Sequence, residues 1–166
     1  MPNTYSHEGI GMKYFEDIEI GTLTQSSRTY KVTREEVIDF ASKYDPQPFH
    51  LDDEAAKATH FGRLSASGWH TGAMAMRMMV DTWRDREPTA GLGSPGLDEL
   101  RWVKPVYPGD ELRVEMVLTS KRRSKSRTDM GITKSKQTVY NQDDEVVMTM
   151  ISNGLVRVRD PDAPIE

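Results

Sequence analysis

The sequence predicts an α+β fold in which a curved antiparallel β-sheet wraps one long apolar helix. Three observations lead there. Residues 68–83 carry apolar or small side chains on nearly every helical face, which marks a helix covered by other structure. Beyond residue 96 the apolar period changes from helical to two, the spacing of half-buried strands. Those strands follow one another with no helical segment between them. They therefore pair antiparallel, with one sheet face left to bury against the helix.

The elements follow in order. Residues 1–13 are an N-terminal lead-in to a single domain over 14–160. Gly21 precedes LTQSSRTYKV, whose Thr, Tyr and Val suit a strand. In TREEVIDFASKY, Thr33 and Glu36 form the T-x-x-E of a capping box, and Val37, Ile38, Ala41 and Tyr44 recur at helical spacing. Pro46 disfavours helical backbone at Asp45, and Pro48 does the same to Gln47. The helix therefore stops at Tyr44 or Asp45, and 45–48 runs extended with φ fixed at both prolines. LDDEAAKA, 51–58, is a short helix with acids in its first turn, where the dipole favours them. Residues 60–67 are a loop into the apolar helix, whose four methionines between Met74 and Met79 serve as adaptable core filler. A loop is expected over 84–96 and a strand over 97–103, followed by a turn at Tyr107-Pro108-Gly109-Asp110. Leu112, Val114, Met116 and Leu118 then alternate with Arg113, Glu115, Val117 and Thr119 in a long strand. A weaker pattern over 127–140 and a last strand over 145–158 flank a turn at Asn141-Gln142-Asp143-Asp144.

Composition bounds the function. A chain of 166 residues suits one domain and hides roughly two-thirds of its extended surface on folding. With a net charge of −4, bulk attraction to nucleic acid or to an anionic membrane is not expected. The absence of cysteine removes disulfides, thiolate zinc sites and cysteine nucleophiles. The opening MPNTYSHEGI lacks the basic-then-apolar order of a signal peptide, and no window approaches about 18 uncharged apolar residues, so a cytoplasmic location is expected.

Asp45-Pro46-Gln47-Pro48-Phe49-His50, followed by Leu51-Asp52-Asp53, sets a stiff segment between a carboxylate and an imidazole. A Phe-led glycine loop, Phe61-Gly62-Arg63-Leu64-Ser65-Ala66-Ser67-Gly68-Trp69, enters the apolar helix. Pro105-Val106-Tyr107-Pro108-Gly109-Asp110 joins two strands, and Glu16-Asp17-Ile18-Glu19-Ile20-Gly21 opens the domain. With these motifs the chain resembles the MaoC-type dehydratase and (R)-specific enoyl-CoA hydratase family over about residues 14–158. The resemblance implies a hot-dog fold, a curved antiparallel sheet around one long central helix. Two positions depart from the family pattern: Gln47 replaces the usual Asn, and Ser67 stands where many members have His. Both bear on substrate choice more than on reaction type.

The resemblance also implies a chemistry: a lyase of fatty-acyl metabolism that hydrates a 2-enoyl thioester, or dehydrates a 3-hydroxyacyl thioester, on coenzyme A or an acyl carrier. His50 and Asp45 would clamp one water, the imidazole acting as base near neutral pH. The proline-braced segment would hold both groups in one geometry, so less entropy is lost at the transition state. The Gly68 N–H, at the positive end of the central helix, would receive the enolate oxygen. Gln47, Phe49, Ser67, Trp69 and His70 are the candidate substrate contacts. Arg101, Lys104, Arg122 and Arg123 are candidates for the coenzyme phosphates, although the run KRRSKSR also reads as a solvated hairpin rim. No metal or redox cofactor is implied. A homodimer or larger homo-oligomer is, because hot-dog sheets pair edge to edge.

Other readings stay open. Taken alone, Asp45 ends a helix and His50 is a satisfied loop histidine. Asp52 and Asp53 are explained by the first turn of the next helix, and no second histidine stands at ligand spacing from His50. His60 and His70 either line the site or serve packing. A hot-dog thioesterase, with Asp81 as the acid of the central helix, and a non-catalytic acyl-CoA-binding domain are the rival functions.

Overall fold

The computed structural model describes residues 11–86 and 88–163. Most of the lead-in expected over 1–13 lies outside the described residues. Its last residues are tied down: the Lys13 N–H donates to Pro88 O at 2.9 Å, and Lys13 bridges to Thr89. A 3-10 turn, Phe15–Asp17, is followed by β1 (Leu23–Gln25), β2 (Tyr30–Lys31), α1 (Arg34–Tyr44), a second 3-10 turn (Pro48–His50), α2 (Asp53–Lys57), α3 (Gly68–Asp85), β3 (Gly91–Trp102), β4 (Glu111–Arg123), β5 (Met130–Tyr140) and β6 (Val146–Arg157). The strands form one antiparallel sheet in the order β1-β4-β5-β6-β3, with β2 also on β4. With α3 against it, this is the α+β hot-dog fold.

The helix boundaries follow from local chemistry. The Thr33 hydroxyl caps α1 by accepting the Glu36 N–H at 3.2 Å. The reciprocal half of the expected capping box is replaced. The Glu36 carboxylate accepts from the Tyr30 hydroxyl at 3.0 Å and the Thr33 hydroxyl at 3.4 Å, tying α1 to β2. Asp52 caps α2, and Ser67 caps α3 by accepting the Trp69 N–H at 3.2 Å.

Three expectations change. The first strand is two strands, broken where Ser26 turns back on β4. Its N–H donates to Val114 O at 2.8 Å, and its hydroxyl accepts the Val114 N–H at 3.1 Å. The segment 91–96, expected as a loop, belongs to β3. Its glycines absorb irregular pairing: the register shifts between Gly91 and Gly93 and between Gly93 and Gly96, where φ is +111° and +151°. An edge strand tolerates glycine and Pro95 because one side needs no ladder partner.

The third change concerns α3, which the other described residues cover on one side only. Met74, Ala75, Met78 and Met79 enter the core with Leu64, Leu112, Val114 and Met148, whereas Trp69, Met76 and Trp83 stay exposed. The residues 69, 73, 76, 80 and 83 recur at i, i+4, i+7 spacing, so they form one apolar stripe along the uncovered face. No described helix is long and apolar enough to cross a membrane.

Candidate active site

Asp45 is where α1 stops. Its N–H still donates to Ala41 O at 2.9 Å, but its φ of −149° has left the helix, and its carbonyl accepts the Gln47 N–H at 2.7 Å. The second proline then sets a 3-10 turn rather than an extended run: the His50 N–H returns to Gln47 O at 2.9 Å. This turn carries His50 back towards Asp45. Oδ2 of the acid stands 3.6 Å from Nε2 of the imidazole, with the side chains 19% and 6% exposed.

The loop 61–67 closes over them. Asp53 Oδ1 accepts the Leu64 N–H at 3.1 Å, Phe49 O accepts the Ser65 N–H at 3.4 Å, and Val106 O accepts the Ala66 N–H at 2.8 Å. The Pro-Val-x-x-Gly-Asp turn braces that loop from behind. Gly109 takes φ +98°, Asp110 Oδ2 accepts the Tyr107 N–H at 2.8 Å, and the Tyr107 hydroxyl donates to Phe61 O at 2.9 Å.

The tautomer of His50 follows from its partners. Nδ1 lies 2.7 Å from Ser65 O, and a carbonyl only accepts, so Nδ1 carries the hydrogen. In the neutral ring Nε2 therefore offers a lone pair to the cavity. Asp45 is ionised opposite it. Burial works against that charge, but hydrogen bonds from Ser67 and Gln47, together with the neighbouring His50, outweigh it and hold the carboxyl below the usual aspartate range. The Gln47 amide donates to Oδ1 at 2.7 Å, leaving Oδ2 towards His50. At 3.6 Å, Oδ2 and Nε2 are too far apart for a direct hydrogen bond. Two acceptors thus face one space, an arrangement suited to a water seated beside them and donating to both.

That space is a cavity of about 610 Å³ lined by Asp45, Gln47, Phe49, His50, His60, Phe61, Ala66, Ser67, Gly68, Trp69, Thr71 and residues 102–106. Gly68, the first residue of α3, brings the positive end of the helix to the same cavity. Trp102, Val103 and Thr71 were not among the candidate site residues and carry no motif of their own. The wall they form was legible only through the motif that follows β3.

The structure brings Asp45, Gln47, Phe49, His50, Ser67, Gly68, Trp69 and Lys104 to this cavity and leaves four other candidates outside its lining. His70 is buried against α1, its ring stacked on Phe40 at 4.6 Å between centroids and 6° between planes. Burial pushes its pKa down, against the opposing charge of Glu36. Lys104 reaches the cavity with its ammonium 2.5 Å from Glu145 Oε1. Arg101 turns its guanidinium to Leu100 O at 3.0 Å. Arg122 and Arg123 end β4, about 40 Å along the strand from its start at Glu111. Arg123 ties the chain beyond β6 to the loop between β4 and β5 by donating to Ala163 O and Thr128 O, each at 2.7 Å. Asp81, towards the far end of α3, pairs with Arg77 at 2.8 Å and Arg84 at 3.6 Å. Among the described residues, no group of three or more His, Cys, Asp or Glu is placed to hold a metal ion.

Known proteins resemble this chain in sequence and in fold. Residues 17–141 match the family model described as MaoC like domain. The crystal structure of a MaoC-like dehydratase from Rhodospirillum rubrum is 40% identical, with a TM-score of 0.81 over 89% of this chain and 99% of that one. An uncharacterized Bacillus subtilis protein, YdeM, is 27% identical over 76% of this chain and 86% of its own. Mesaconyl-CoA hydratase of Cereibacter sphaeroides is 36% identical over 69 residues, 42% of this chain and 20% of that protein. A Mycobacterium tuberculosis protein with a double hot-dog fold shares the architecture at a TM-score of 0.69 and 15% identity, over 94% of this chain and 47% of that one.

Proposed function

From the premise that this chain belongs to the MaoC-like dehydratase family, we propose that it is a hydro-lyase acting on acyl thioesters, adding water reversibly and (R)-specifically to a 2-enoyl-CoA or its carrier-bound equivalent. The observation that carries this reading is the pairing of Asp45 Oδ2 and His50 Nε2 at 3.6 Å in a cavity that Gly68 also lines. A water held by both groups attacks C3. His50 Nε2 takes its proton, the C3–O bond forms, and the π electrons of the double bond move towards the thioester oxygen. The Gly68 N–H receives that oxygen as it gains charge. The imidazolium, stabilised by the Asp45 carboxylate, returns a proton to C2, and dehydration runs the same steps backwards. Proton transfers alone carry the reaction so written. Mesaconyl-CoA hydratase is among the relatives, which supports a CoA thioester without fixing the acyl group.

A second copy of the chain is part of this reading. The apolar stripe of α3 is uncovered, and β3 closes the sheet with Leu92, Leu97 and Trp102 exposed. Edge strands of this kind invite pairing. A thioesterase is disfavoured because Asp81, the acid of the central helix, is held in ion pairs outside the cavity lining.

The test is a hydration assay over crotonyl-, mesaconyl- and longer enoyl-CoAs, with free thiol measured in parallel. Loss of enoyl absorbance without thiol release supports the hydro-lyase. Thiol release would assign a thioesterase, and binding without turnover a non-catalytic acyl-CoA-binding domain.

A further inference from the structure

The glycine at position 68 has a neighbour that no motif marks. A Cβ built on Gly68 would fall 2.4 Å from Trp102 Cε2 and 2.6 Å from both Cδ2 and Nε1. The indole therefore occupies the space a side chain would need and rests on the Gly68 backbone. Trp102 is the last residue of β3, set opposite Met148 of β6, and the next residue donates its N–H to Val147 O at 2.8 Å. Its ring is in turn met edge-on by Trp69, at 5.2 Å between centroids and 78° between planes. Both indoles line the cavity that holds Asp45 and His50.

Glycine is the least constrained residue a helix can start with, and its backbone wanders unless something outside holds it. The first turn of α3 is held from within by Ser67, whose hydroxyl accepts the Trp69 N–H at 3.2 Å. From outside it is held by an indole.

We propose that Trp102 is a positioning residue for the Gly68 amide: its ring clamps the first turn of α3 so that the N–H points at the thioester oxygen. This rests on the hydratase reading above and adds a residue to it. The charge on that oxygen is largest in the transition state, so a looser amide lowers kcat more than it raises KM.

The experiment is a double-mutant cycle on the full-length protein, read as kcat and KM for crotonyl-CoA, with melting temperature and oligomeric state measured on each variant. Trp102→Ala is expected to lower kcat on the order of tenfold or more, a fraction of what losing a whole donor costs, with KM changed less than threefold. Trp102→Phe, which keeps a ring in the space, restores most of the rate. Gly68→Ala alone also loses rate, because its methyl displaces the indole. The double variant Gly68→Ala, Trp102→Ala recovers rate relative to Trp102→Ala, since alanine stiffens the turn where the ring has gone. A residue that serves folding alone would lower the melting temperature without that recovery. Trp102→Ala with kcat within twofold of the parent, or losses that simply multiply in the double variant, overturns the role. If the parent hydrates no enoyl thioester, the reaction itself falls and the role with it; an active parent with an indifferent Trp102 removes this assignment alone.

Discussion

Asp45→Asn is the sharpest test of the site, because it keeps the side chain's shape while removing the charge and turning the acceptor that faces His50 into a donor. Asparagine has the shape of aspartate, and its Oδ1 can still accept the Gln47 amide that stands at 2.7 Å. The segment 45–50 should therefore keep its path. What is lost is the negative charge opposite the imidazolium that forms when His50 takes the proton. At the 3.6 Å separation, two unit charges in an effective dielectric of about 20 attract by about 4.6 kcal/mol. That corresponds to roughly 10³-fold in rate, within the 10²–10⁴ typical of a positioned acid–base group. The Asp45 side chain is 19% exposed, so solvent screening lowers the figure, and a fall in kcat of about 10²- to 10³-fold is expected. KM should move little, since Asp45 does not hold the thioester. The assay is the decay of enoyl-thioester absorbance under saturating crotonyl-CoA, beside a thermal melt of the same preparation. A variant that melts with the parent and keeps kcat within threefold of it would refute the assignment of Asp45.

Three further outcomes follow from the packing. Burial lowers the pKa of His70, so its neutral form is the one the fold stabilises. That contribution is whole above the unfolded value of about 6.5 and shrinks as pH falls from there towards the folded value. The parent should lose melting temperature between about pH 7.5 and 5.5, and His70→Phe, which keeps a ring on Phe40, should lose less; equal losses would assign the effect elsewhere. Gly131→Ala places a methyl 2.1 Å from Phe15 Cδ2, where Phe15 packs with Val156 and Val158. Urea unfolding should show a cost of about 1–3 kcal/mol, with hydration kinetics unchanged. Thr33→Ala removes the acceptor of the Glu36 N–H and should cost about 1 kcal/mol by the same measurement; an unchanged midpoint would mean that water replaces the cap.

What the sequence made legible, and what it hid, divides along a physical line. Local rules placed α1, α2 and α3 within a few residues, because caps and prolines act on their own neighbours: Thr33, Asp52 and Ser67 each take a backbone N–H within three residues. Period-two alternation located β4, since one of its faces is buried. It missed the start of β3, where glycines at 91, 93 and 96 carry no alternation and pairing with β6 alone decides the structure. Proline stiffness at 46 and 48 signalled a fixed geometry between Asp45 and His50, but the second proline begins a turn, and the turn is what closes the distance to 3.6 Å.

The same division accounts for Gly68. In the sequence a glycine at the mouth of a helix suggests room for a ligand to approach. In the fold, the space at its missing side chain holds the Trp102 ring. Residues 68 and 102 are brought together only because β3 pairs with β6 beside α3, and no rule of local spacing links them. Ser67 shows the converse. Its hydroxyl faces two ways, accepting from the start of α3 and supporting the charge on Asp45, so one buried group joins the acid to the helix end that carries the amide. On the proposed assignment, acid, base and oxyanion donor are fixed through one serine, one carbonyl and one indole, which leaves them little freedom to adjust. On that assignment the substrate range is expected to follow from the remaining wall, Phe49, Phe61, Trp69 and Val106, rather than from movement of the reacting groups.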